Sequence, residues 1–239
     1  TILNELLTDY RGVLLSDGYI AYERFVEKTN AIVHAQCWSH TRRQFLKAED
    51  VEPELTRTAL DQVRELCAIE AQIRPKMVEP AKRLELRALK SKPIVDKFFA
   101  WREDTLAERV LLPRNPFTEA AEYALARKKE LRVFLEDPDV AIDTNHLERQ
   151  IRPIALGRRN WLFCWTEVGA KYVGIVQSLL ATCRLQSIDP YVYLVDVLQR
   201  VEQHPMHDVA TLTPRLWKEN FAADPLRSPV DRVVNNAAR

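Results

Sequence analysis

Two carboxylates and a run of arginines are the residues of this chain whose surroundings suggest chemistry. Asp17 follows the apolar triplet Val13, Leu14 and Leu15 and is itself followed by Gly18. A carboxylate at the end of a buried strand is costly unless something pairs with it. Glu148 lies far along the chain, in "DTNHLERQIRPIALGRRNW". Arg149, Arg152, Arg158 and Arg159 follow it, and no acid appears again before Glu167. Such a cluster, with Asn160 and Trp161 next, suits phosphate backbones. The same cluster also reads as a solvated basic face. Two carboxylates brought together by a fold can hold Mg2+ or Mn2+ and leave room for water and a substrate phosphate. A third would let two ions act on the attacking and leaving oxygens. A plainer alternative also exists. Asn145 stands where the first residue of a capping box would, so Glu148 could simply bond the start of its own helix.

A second constellation is His34, Cys37 and His40. Zinc accepts these residue types, but the run crosses from a strand into a helix start and no fourth ligand lies nearby. A packed, hydrogen-bonded cluster is the expectation. Trp38, between them, reads as core. Arg42 and Arg43, one turn on, suit either DNA contact or simple solvation. Cys164 and Cys183 sit in apolar runs and read as buried thiols.

The elements that must position these residues are mostly helical. Strand signals are few, the best being Val13–Ser16 and Ala31–Ala35. "IAYERFVEK" between them and "SHTRRQFLKAE" after them read as amphipathic helices, the latter with Ser39 as its cap. This order is an α/β pattern. From Pro53 to about Leu135 the pattern is helical throughout, and "FTEAAEYALARKKELRVFLED" reads as one helix capped by Thr118. "VGAKYVGIVQSLLATCRLQ" and "DPYVYLVDVLQRV" are two further helices, the second with Asp189 as cap and Pro190 in its first turn. The last residues, "VDRVVNNAAR", have no apolar face and read as frayed.

Composition narrows the class. The chain has 239 residues, 46% of them apolar, and a formal net charge of +1. It can bury a sizeable core, and its bulk charge names no partner. Four scattered cysteines without a C-x-x-C pair fit free thiols in a reducing cytoplasm. No apolar run approaches the roughly 20 residues of a membrane helix, and no basic-then-apolar leader opens the sequence. "TILNELLTDY" starts directly in a helix-like pattern, which suggests the later part of something longer.

The segments "LLSDGYIAYERF", "HAQCWSHTRRQFLKA", "DTNHLERQIRPIALGRRNWLF" and "RLQSIDPYVYLVDVLQRV" resemble, in this order, the insertion sequence 66 family of transposases. The resemblance covers about residues 10 to 220. It implies a DDE recombinase: a ribonuclease-H-like catalytic core interrupted by a helical insertion before the last acid. Asp17 matches the second acid and Glu148 the third, and the Pro53–Leu135 block matches the insertion. The family's first aspartate would lie on a strand upstream of residue 1, and Asp9, near the end of a helix-like segment, is a poor substitute. Thr144 stands where the family usually has an asparagine, and "WTEVGAKY" departs from its glycine-rich turn.

The resulting expectation is an α/β, predominantly helical chain with a partial ribonuclease-H-like core. Residues 1–50 would form part of that core with the second acid, 51–137 the insertion, and 138–183 the return to the core with the third acid and the basic cluster. Residues 184–225 would form a C-terminal helical element and 226–239 a disordered tail. The implied function is that of a cytoplasmic DNA transposase: metal-dependent phosphodiester hydrolysis, then attack of the freed 3′-hydroxyl on target DNA. Asp17 and Glu148 would hold Mg2+ or Mn2+, and Arg149, Arg152, Arg158, Arg159, Arg42 and Arg43 would meet DNA. Element ends, target DNA and either a second copy or an N-terminal chain are the implied partners. A different class stays open: a truncated, inactive remnant that at most binds DNA or a partner. A third is a helical interaction protein whose acids are structural and do not respond to metal.

Overall fold

Two short runs of apolar and β-branched residues form β1 (Gly12–Ser16) and β2 (Ile32–Gln36), a parallel pair in the register Val13↔Val33 and Leu15↔Ala35. Parallel strands need a crossover, and α2 (Ile20–Val26) supplies it. Val13, Leu15 and Ala35 share one face and pack against the main core. The other face carries Leu14 and the buried Ile32 beside a polar contact, Ser16 Oγ lying 2.8 Å from His34 Nε2. The structure is a computed structural model and describes residues 2–29, 31–73, 78–108, 111, 114–158, 164 and 166–228. Among these the sheet has no third strand, and the architecture is predominantly helical.

The chain divides into two compact units, Thr1–Glu148 and Arg149–Arg239. In the first, α1 (Ile2–Leu7) precedes β1, and α3 (Trp38–Leu46) follows β2. Then come α4 (Pro53–Ile73), α5 (Pro80–Leu86), α6 (Lys92–Glu108) and α7 (Pro116–Ala126). Trp38, Thr41 and Phe45 recur at helical spacing and bury one face of α3. Leu55, Ala59, Val63 and Leu66 do the same for α4. Trp38 is the centre of this core. Its ring meets Phe98 edge-on at 4.9 Å, and its Nε1 donates to Leu131 O at 2.8 Å. The core reading of Trp38 therefore stands.

Three local expectations are corrected. Ser39 does not cap α3, because the helix already begins at Trp38 after Cys37. Thr118 does not cap α7; Asn115 does, accepting from Phe117 N at 2.8 Å, with Pro116 in the first turn, where its missing N–H is not needed. The stretch 117–137 is not one helix. α7 ends at Ala126, and a 3-10 turn, Glu130–Leu135, swings Leu131 and Phe134 into the core. Pro93, in contrast, does not end its helix. A π turn at Arg87–Ser91 precedes it, with Lys92 N bonded to Arg87 O, and widens the backbone where the proline ring would collide.

Arg87 is the polar hub of this unit. Its Nη2 donates to Glu70 Oε2 at 2.8 Å, and both side chains are almost fully buried, at 4% and 5% exposure. The remaining donors reach Phe134 O at 2.6 Å, Asp137 O at 2.8 Å and Val140 O at 3.1 Å. Arg102 is buried quite differently. It lies over the rings of Phe98 and Phe45 and donates to Phe98 O, but its Nε and Nη2 have no hydrogen-bond partner. Burial pushes its pKa well down.

The second unit contains the remainder of α8 (Asn145–Gly157), then α9 (Glu167–Leu185), α10 (Pro190–Arg200), a 3-10 turn at Met206–Leu212 and α11 (Pro214–Asn220). Asp189 caps α10 as expected, accepting from Tyr191 N at 2.8 Å. Cys183, Ile188, Tyr193 and Trp217 form its core. Asp196 is fully buried there and accepts from Trp217 Nε1 at 2.8 Å, Arg200 Nε at 2.6 Å and Leu226 N at 2.6 Å. Burial raises its pKa, but these hydrogen bonds outweigh burial and the net shift is downward. Leu226 is thus tied to the unit, against the expectation of a tail disordered from residue 226; residues 229–239 lie outside the described residues.

The two buried arginines should respond oppositely to the same change. Arg87→Met strands Glu70 as a buried charge and should remove about 3–5 kcal/mol. Arg102→Met removes a guanidinium with unmet donors and should leave stability unchanged or raise it. Urea denaturation of the two variants beside the parent chain checks both signs.

Candidate functional site

Asp17 stands directly after Ser16, the last residue of β1, and is half-buried. Its Oδ1 accepts from Tyr19 N at 3.1 Å, a short side chain fixing its own turn. Gly18 is needed there for space: a Cβ would overlap the hydroxyl of Tyr123, which α7 brings across. Burial pushes the Tyr123 phenol up, and the Asp17 charge adds to that.

Glu148 reaches the same end of the sheet by a longer route. Cys37, the residue after β2, donates its N–H to Ser16 O at 3.1 Å, and Trp38 N bonds Ile142 O at 3.0 Å. Thr144 N and Oγ1 then lie on Cys37 Sγ at 3.3 and 3.4 Å. Asn145 Nδ2 donates to Ser39 Oγ at 2.8 Å and to Asp143 Oδ2 at 3.1 Å. These contacts seat the start of α8 against the start of α3. Both acids therefore sit at the carboxyl end of the parallel pair, the edge where α/β sheets place ligands.

The carboxylate of Glu148 accepts two hydrogen bonds and has His40 nearby. Arg43 Nη2 donates to Oε2 at 2.7 Å, Thr144 Oγ1 donates to Oε1 at 3.2 Å, and His40 Nε2 lies 3.6 Å from Oε1. The Arg43 hydrogen bond holds its pKa below the usual carboxylate value, overcoming burial. The capping-box alternative is corrected. Thr144, not Asn145, precedes the helix, and the side chain of Glu148 bonds that threonine's hydroxyl. Tyr123 completes the site without a sequence signal of its own, since it acts through a contact distant in the chain.

The other candidates scatter. His34 faces Ser16 and lines a polar cleft with Glu23, Arg127 and Glu130, Cys37 faces Thr144, and His40 faces Arg43 and Glu148. The H-x-x-C-x-x-H run is a hydrogen-bonded cluster of divergent side chains. Arg43 is committed to Glu148, while Arg42 beside it is exposed and joined to no carboxylate among the described residues. Arg149 and Arg152, three apart, share an exposed face of α8, and Arg158 follows the helix end. Arg159, Asn160 and Trp161 lie outside the described residues. All four cysteines are free; Cys183 is buried, but Cys164 is only half-buried, which corrects its reading as a core thiol.

Residues 1–172 match the family described as "Transposase IS66 family", and residues 178–215 match the "IS66 C-terminal element". The chain belongs to the IS66 transposase family. Its curated relatives include protein y4hP of Sinorhizobium fredii strain NGR234, 36% identical over 234 residues, covering 91% of this chain and 42% of y4hP. Protein y4qI of the same organism is 35% identical over 227 residues, covering 91% and 40%. The chain thus spans about two-fifths of the length of the curated relatives it matches. No solved structure matches it. No helix among its described residues is long and apolar enough to cross a membrane.

Resemblance to DDE recombinases implies a divalent cation, and the IS66 residues can be tested against that. Oxygen donors at a sheet edge are the right chemistry. The arrangement is not: no three histidine, cysteine, aspartate or glutamate side chains among the described residues converge on one point. Glu148 is moreover neutralised by Arg43. Among the described residues, Asp17 and Glu148 are thus not joined by a third such ligand.

Two consequences are measurable. Gly18→Ala should destabilise the chain by about 1–3 kcal/mol through overpacking on Tyr123, and adding Tyr123→Phe should restore part of that loss in urea denaturation. The depressed pKa of Glu148 means that its contribution is present above the unfolded-state value of about 4.3 and lost as pH falls through the lower folded value. Because the pair is partly exposed, Glu148→Gln should cost less than about 1 kcal/mol at pH 7. Denaturation of both proteins at falling pH should show that gap closing below about pH 4.

Proposed function

We propose that this chain is the part of an IS66 DNA transposase that carries two of its acidic residues, Asp17 and Glu148, and a basic surface for DNA. The observation that carries the reading is their common placement at the carboxyl end of β1 and β2, joined through Ser16, Cys37 and Thr144. The reaction would be phosphodiester hydrolysis at the element end, followed by in-line attack of the freed 3′-hydroxyl on target DNA. Arg42, Arg149, Arg152 and Arg158 would steady phosphates with little reading of sequence; Arg159 is assigned with them on sequence alone. In this reading β1 and β2 belong to a ribonuclease-H-like core, residues 51–137 are its helical insertion, and a third carboxylate comes from outside residues 1–239.

A second reading is favoured by one observation: Arg43 neutralises Glu148. By themselves these residues would then be a catalytically silent DNA-binding module. Calorimetric titration of Mn2+ into the chain, repeated with Asp17→Asn and Glu148→Gln, separates the two. Saturable binding lost in both variants supports the first reading. No binding, or binding indifferent to both changes, supports the second.

A further inference from the structure

We infer that Arg43 is a positioning residue that exchanges Glu148 for a DNA phosphate, so that the carboxylate is released only when DNA is bound. The inference rests on the proposed function and deepens it by naming how the site is controlled.

Two of the arginine–carboxylate pairs among the described residues are of opposite character. Arg87 and Glu70 are almost fully buried, at 4% and 5% exposure, and further carbonyls hold the guanidinium, so the pair is permanent. Arg43 and Glu148 meet at 2.7 Å with side chains 48% and 41% exposed. An exposed pair contributes little and is readily opened. A guanidinium binds phosphate through paired N–H groups at least as well as it binds a carboxylate. Arg43 uses Nη2 on Glu148 and Nη1 on His40 Nε2, at 3.1 Å, and the latter contact competes weakly with an anion. Arg42, next in sequence and also exposed, has no carboxylate among the described residues. Only one of the two neighbouring arginines is therefore masked, and it is masked by the acid that matches the family's third.

Glu148 would not drift when Arg43 leaves. Thr144 Oγ1 still donates to Oε1 at 3.2 Å, and Thr144 is itself fixed on Cys37. On this inference it is the charge of Arg43, and not the placement of Glu148, that opposes a metal-holding role. Phosphate on Arg43 removes the positive charge that Glu148 faces and leaves its oxygens oriented.

A metal-free binding assay tests this. Affinity for a short random-sequence duplex is measured at fixed low salt for the full chain, Arg43→Gln, Glu148→Gln, the double variant and Arg42→Gln. Freeing Arg43 should make Glu148→Gln bind roughly 2- to 5-fold tighter than the parent chain. That gain should vanish in the Arg43→Gln background and persist in the Arg42→Gln background. Arg43→Lys, which keeps the charge, should retain part of it. Thermal melts identify any variant that fails to fold, and Arg43→Lys then replaces Arg43→Gln in the cycle, with a reduced gain expected and an undiminished one counting against the exchange. An equal gain with and without Arg43, or no gain at all, overturns the exchange while leaving the proposed function to its own Mn2+ test. Absence of DNA binding by the parent chain overturns both.

Discussion

The buried pair of Glu70 and Arg87 is the contact on which the position of Glu148 depends. A guanidinium can be kept in a dry interior only if its donors are met. Here they are met by Glu70 and by the carbonyls of Phe134, Asp137 and Val140. That requirement fixes the chain between the end of the 3-10 turn and the start of α8. The next anchor is Ile142 O on Trp38 N, followed by Thr144 on Cys37 and Asn145 on Ser39. An acid that is far from Asp17 in sequence is thus carried to the end of the same two strands by a series of contacts that begins inside the helical block. The helices of residues 53–135 are not a bystander to the sheet; they hold the segment that returns to it.

The same reasoning separates structure from chemistry among the arginines. Arg87 is saturated and buried, which suits a permanent support. Arg102 is buried on aromatic rings with donors unmet, and the structure offers no polar reason for its charge. Arg43 is exposed and bonded to a single carboxylate, which suits a group that changes partner. Arg149 and Arg152 are exposed and paired with no described carboxylate, which suits a surface waiting for an anion. Burial and donor count assign these roles, where charge alone would have put all of them in one class.

Much of the first unit was legible because its signals are local. Short apolar runs located β1 and β2, helical spacing located the buried face of α4, and Asp189 announced its own helix. What failed was of two kinds. Ser39 and Thr118 have the right side chains for caps but stand within the first turn of helices that Cys37 and Asn115 cap. Propensity does not know where tertiary contacts start a helix. The site failed differently. Asp17, Glu148 and the arginines were visible as types, and their order along the chain carried the family resemblance. That Arg43 meets Glu148, or that Tyr123 closes over Gly18, follows from packing across more than a hundred residues and has no local signature.

Thr144 shows why that distinction matters for function. The resemblance implies an asparagine at this position, and an amide could also bond a neighbouring helix. A threonine hydroxyl does something narrower: it contacts Cys37 Sγ and donates to Glu148 Oε1, bridging the residue after β2 to the acid. Cys37 is in turn bonded to Ser16, the neighbour of Asp17. The two acids are thus linked by backbone and short side chains, while the arginine that faces Glu148 is long and exposed. Geometry at this site is set by the stiff side of the network and charge by the flexible side. A ligand that captures Arg43 can therefore change the electrostatics of Glu148 without moving it.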